Sequence, residues 1–99
     1  MTEAPTPDDF IPHVDKVFRV KGGWHALTLA QVDRRPAAEW AHSPALREPF
    51  ILIFRGPRGD VLREGLYTLE VEDGPAFELY VMPIHTPQHD HQDYQSVFN

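Results

Sequence analysis

This sequence predicts an all-β domain, a small antiparallel β-barrel or sandwich of about six strands with a short N-terminal helical turn. Two patterns carry that expectation. From Lys16 onward apolar and polar residues alternate with a period of two over several short runs, as a strand with one buried and one solvated face requires. Between those runs stand Gly22-Gly23, Arg55-Gly56-Pro57-Arg58-Gly59-Asp60 and Asp73-Gly74, residues that accept positive φ or pre-set a turn.

The elements follow in order. Residues 1–7 read as a flexible leader, because Pro5 and Pro7 interrupt regular hydrogen bonding, and 8–99 as a single β domain. Thr6-Pro7-Asp8-Asp9 resembles a helix start, with a capping residue, proline at the first position and acids in the first turn. One or two turns would carry Phe10 and Val14 towards the core before Pro12 ends them. Val17, Phe18 and Val20, set among Lys16, Arg19 and Lys21, form a half-buried strand, and Trp24 to Asp33 form its hairpin partner with Leu27 and Leu29 on one face. Arg34 to Pro49 is the longest irregular connection. Phe50-Ile51-Leu52-Ile53-Phe54 is apolar on both faces and therefore belongs at the centre of a sheet. Gly65–Val71 and Ala76–Met82 alternate and meet at Asp73-Gly74 in a second hairpin, and Tyr94–Phe98 make a last short strand.

Composition narrows the function. Ninety-nine residues support one modest core, and 41% hydrophobic with 24% charged residues is too apolar for a disordered chain. Nine Lys+Arg against fifteen Asp+Glu leave a net charge of −6, which argues against binding a phosphate backbone. The absence of cysteine removes disulfides, zinc–cysteine sites and thiol nucleophiles. No apolar run approaches the roughly 20 residues of a membrane helix, and Met1–Asp9 has neither the basic nor the apolar part of a signal peptide. The expected location is cytoplasmic.

Charge is unevenly spread. All nine basic residues lie at or before Arg63, whereas Glu64, Glu70, Glu72, Asp73, Glu78, Asp90 and Asp93 follow it without a Lys or Arg. A solvated strand face is the ordinary reading of such carboxylates. The sharper reading is a docking surface for a basic protein partner, formed by Glu70, Glu72 and Glu78 and joined by Trp40 in the polar, proline-flanked connection. Trp24 is a second aromatic candidate, for core or interface.

His85-Thr-Pro-Gln-His89-Asp90-His91-Gln-Asp93 gathers three imidazoles and two carboxylates within nine residues. Imidazole nitrogen with carboxylate support suits a divalent transition metal, so His85, His89 and His91 are the candidate ligands, although no fourth ligand is set by the spacing. Imidazoles beside carboxylates also suit a pH sensor. No catalytic set is expected: Gly56-x-x-Gly59 lacks the ending of a phosphate loop, and neither Ser43 nor Ser96 stands in a nucleophile elbow. Arg58-Gly59-Asp60 spells an adhesion tripeptide but is ordinary turn chemistry.

The chain resembles a family of small bacterial single-domain proteins of unknown function. The resemblance rests on Phe10-x-x-His13-Val14 with Phe18, Leu27-x-Leu29, Phe50-x-Leu52-x-Phe54-Arg55-Gly56-Pro57, Gly65-x-Tyr67-x-Leu69, Phe77-x-Leu79 leading to Pro83, and Tyr94 to Phe98-Asn99. It spans about residues 10–99, mostly at apolar strand positions. Some members lie near genes for phage-tail-collar-like proteins, which implies an accessory or structural subunit. The expected function is therefore a non-catalytic protein-interaction or assembly module. A small-molecule or metal-binding barrel built on the His85–His91 loop is the alternative, and a homo-oligomer a third arrangement.

Overall fold

A computed structural model of the protein describes residues 5–34 and 49–98. Trp40, Pro36 and Pro44 lie outside the described residues, while Pro49 lies within them. The described chain runs α1 (Pro7–Phe10), a 3-10 turn (Ile11–His13), β1 (Val17–Val20), β2 (Ala26–Arg34), β3 (Phe50–Gly56), β4 (Gly65–Val71), β5 (Ala76–Pro83) and β6 (Gln92–Phe98). The strands close into an antiparallel barrel in the order β1-β2-β3-β6-β5-β4. Both predicted hairpins form, Phe18 facing Leu27 in the first and Leu69 facing Phe77 in the second. β3 is central, paired to β2 on one side and to β6 on the other.

The helix begins one residue inside the segment read as a leader. Pro7 is buried, and the Thr6 N–H donates to the Asp9 carboxylate at 2.8 Å while the Asp9 N–H donates to the Thr6 carbonyl at 3.0 Å. Proline at the first helical position gives up no hydrogen bond, since that N–H has no partner within the helix. The tightening into a 3-10 turn at Ile11–His13 contains Pro12.

Period-two alternation puts Phe18, Val20, Leu27, Leu29, Phe50, Leu52, Phe54, Leu69, Val71, Leu79, Val81 and Tyr94 inside the barrel, all buried. A register shift between Leu29 and Gln31 inserts Ala30 as an extra residue in β2. The bulge keeps Val32 on the inner face, opposite Leu52, after Leu29 has faced Phe54. Antiparallel order puts the β1–β2, β3–β4 and β5–β6 connections at one end of the barrel, here called the rim. The helix, the β4–β5 turn and the first residues of β3 lie at the opposite end, the base.

Both ends are filled by side chains. At the base Phe10, fully buried, lies 4.5 Å from Phe77, 5.9 Å from Phe50 and 5.8 Å from Phe98 by ring centroids. Phe50 and Phe98, register partners across β3 and β6, stack at 4.4 Å. At the rim the buried Leu62 packs with the core, and its N–H donates to the Tyr94 hydroxyl at 2.9 Å. Gly56 is needed there because a Cβ would lie 2.8 Å from Leu27 Cδ2 and 3.2 Å from Tyr94 Cε1.

Candidate functional site

The filled interior directs attention to the outer surface, beginning with β4 and β5. Leu66, Thr68 and Glu70 point outward on β4, opposite Tyr80, Glu78 and Ala76 of β5. Leu66 is 61% exposed and Tyr80 45%, so two large apolar side chains stand side by side in solvent. Carboxylates flank them. The Tyr80 hydroxyl donates to Glu64, an exposed contact that raises the phenol pKa above its ordinary value, chiefly through that hydrogen bond.

The predicted acids divide between two places. Glu70 and Glu78 both lie exposed on this outer face. Glu72 lies past the end of β4, exposed in the turn, and lines a small recess with Lys16, Val17, Val71 and Asp73. Asp73 takes φ +58 in that turn, and the Gly74 N–H returns to the Val71 carbonyl at 2.9 Å. The acidic sector of the sequence is not acidic throughout in space, because β1 borders β4 and sets Arg19 opposite Glu70. On the other border, neither β5 nor β6 carries a Lys or Arg. Trp40 falls outside the described residues.

The rim is polar and stitched across its loops. Trp24, 79% exposed, stacks on His25 with ring centroids 5.2 Å apart, and its Nε1–H donates to Asp60 at 2.9 Å. Asp60 also stands 3.3 Å from His25 Nε2, so one carboxylate ties the β1–β2 turn to the β3–β4 loop. Gly22 takes φ +81 in the tight turn between β1 and β2, a conformation that glycine accepts without strain. Arg58 reaches from the β3–β4 loop to donate to the Gln88 carbonyl at 2.5 Å.

The histidine segment forms the third rim loop, and its members separate. His85 and His89 are exposed. His91 is half-buried between two acids, with Nδ1 2.7 Å from Asp90 and Nε2 3.2 Å from Asp93. The hydrogen bond from His91 holds the Asp90 carboxyl below its ordinary pKa. Asp93 in turn lies 3.5 Å from Arg55 Nε, and its own N–H donates to the Thr86 hydroxyl at 2.9 Å. Gln92 donates to the Ile84 carbonyl at 2.9 Å. His91 is thus engaged with neighbouring carboxylates in a loop-fastening network, and among the described residues no three His, Cys, Asp or Glu side chains are gathered as a metal site.

Two groupings on this surface are absent from the sequence-derived candidates, although Trp24 by itself is among them. The Leu66–Tyr80 pair had a signal, since Leu66 is apolar at an outward position where Thr68 and Glu70 are polar. The Trp24–His25–Asp60 cluster had none, because it joins residues 36 apart in the chain.

Geometry defines a small closed antiparallel β-barrel with both ends plugged and its distinctive side chains on the outside. Residues 5–98 match the model of the family described as "Domain of unknown function (DUF6916)". The chain belongs to that family. No curated protein and no solved structure matches it. Among the described residues no helix is long and apolar enough to cross a membrane.

Proposed function

We propose that the protein is a non-catalytic protein-interaction or assembly module. It acts in the cytoplasm as a small accessory subunit, of a phage-tail-like or surface structure, and binds a basic protein partner through the outer face of β4 and β5. The observation that supports this reading is the exposed Leu66–Tyr80 pair set beside Glu64, Glu78 and Glu70 on that face. Apolar side chains in solvent ringed by charge are a common composition for an interface, with the apolar centre supplying affinity and the charges on-rate and specificity.

The test is capture of partners from lysate of the native cell at low salt, with the natural protein and with Glu70→Lys, Glu72→Lys and Glu78→Lys combined. One stoichiometric protein, released by salt and missing from the reversed variant, is the expected result. A partner retained equally by both would overturn the reading.

A further inference from the structure

Tyr80 points outward from β5, directly opposite Leu66 of β4, and Glu78 shares its face two residues nearer the base. Two residues of strand are about 6.6 Å, so a group lying on the Tyr80 ring is within a side-chain length of the Glu78 carboxylate. The ring itself is held in one orientation, because its hydroxyl donates to Glu64 just before the rim end of β4. It therefore lies between two carboxylates, one at its hydroxyl and one on its base side. With Tyr80 45% and Leu66 61% exposed, both side chains remain open to solvent. Among the described residues neither an aromatic ring nor a cation packs on Tyr80.

The carboxylates around the ring keep their charge unmatched. Among the described residues none of Glu64, Glu70 and Glu78 is in an ion pair, and neither β5 nor β6 carries a Lys or Arg. The face of an aromatic ring attracts a cation, and the attraction adds to that of the acids beside it. Guanidinium suits this arrangement better than ammonium. It is flat, weakly hydrated and able to stack on a ring while its in-plane N–H groups reach a carboxylate on either side, whereas ammonium is a compact charge that holds its water.

We infer that Tyr80, Glu64 and Glu78 receive an arginine side chain of the basic partner, its guanidinium lying flat on the phenol ring and donating to the two carboxylates, while an apolar neighbour in the partner covers Leu66. The inference rests on the module reading above and names the side chain by which that partner is held. A second copy of the chain is the poorer occupant, because this face set against itself brings glutamates together, and like charges across an interface repel.

The probe is an eight-residue Gly/Ser peptide with Leu-Arg at its centre, titrated at low salt into the full chain labelled for NMR. Its controls carry Lys or Glu in place of the Arg. Saturable shifts at Leu66, Glu78 and Tyr80 are expected with the Arg peptide and none with the Glu peptide. The Lys peptide should bind about fivefold more weakly, the size of an exposed ring–cation contact. Tyr80→Leu, a change on the outer face that spares the core, should lower the Arg peptide to the Lys level. Tyr80→Phe keeps the ring and should keep the preference. Equal affinity for the two basic peptides, a preference that survives Tyr80→Leu, or no binding of the Arg peptide would each overturn the inference. The module reading would still stand if the reversed variant of the preceding test lost its partner, and would fall with it if that partner were retained.

Discussion

The two ends of the barrel are sealed by different physics. At the base a single side chain carried on a short helix, Phe10, enters a ring of Phe50, Phe77 and Phe98, and the contacts between them are apolar. At the rim Leu62 also enters the barrel, but its position is held by a hydrogen bond to Tyr94, and the loops above it are joined through Asp60, Arg58 and Asp93. The base is a packing problem that shape and hydrophobicity solve. The rim depends on directional contacts, of which the buried one from the Leu62 N–H to the Tyr94 hydroxyl is costly to lose.

The difference can be broken most forcefully at the base. Phe10→Ala removes a fully buried ring from among Phe50, Phe77 and Phe98 and leaves a cavity in its place. The expected loss is about 3–5 kcal/mol, read as a lower urea midpoint with an unchanged slope. Full stability in this variant would mean that the helix is an ornament on a self-sufficient barrel.

At the rim the corresponding change is Tyr94→Phe, which keeps the ring and deletes only the hydroxyl. The Leu62 N–H, buried and 2.9 Å from that oxygen, is then left without its acceptor. The expected cost is about 1–3 kcal/mol, together with faster exchange of the Leu62 amide. A cost as large as that of Phe10→Ala would show that the two ends do not differ in the way their contacts suggest. Burial also raises the Tyr94 phenol above its ordinary pKa. Its contribution is therefore present below the unfolded value and lost as pH rises through the folded one.

How far each end was legible in the sequence follows from the same contrast. Thr6 to Asp9 reads as a helix start that carries Phe10 towards the core, and Phe77 lies where alternation assigns an inward position, whereas Phe50 and Phe98 stand in runs apolar on both faces. An apolar side chain on the inner face will pack on whatever apolar neighbour it meets, so the base could be anticipated without knowing the contacts. The rim could not. Trp24 finds Asp60, Arg58 finds Gln88 and Leu62 finds Tyr94 across separations of 36, 30 and 32 residues, and directional bonds over such distances are settled only by strand order and register. Strand order also explains Arg19. The chain segregates its charges in sequence, yet β1 returns beside β4 and puts a basic residue opposite Glu70. Nor does period two reveal that β5 and β6 pair at only two positions, because a long ladder and a short one alternate alike.

The mildest change sharpens the comparison through pH. Asp90 is exposed, and its pKa is lowered because His91 donates a hydrogen bond to it. A carboxyl whose folded pKa lies below its unfolded value stabilises above the unfolded value, and the contribution disappears as pH falls through the folded one. Asp90→Asn should therefore be slightly less stable than the natural protein near neutrality, by an amount smaller than for either variant above. That deficit should close as the pH falls below about 4, where carboxylates take up protons. The Phe10→Ala deficit, arising from packing alone, should hold its size over the same range. Urea midpoints for the three proteins along one acid series make the check. Parallel curves for Asp90→Asn and Phe10→Ala would show that the Asp90–His91 contact does not fasten the rim loop, and would reduce the contrast between the ends to Tyr94 and Leu62.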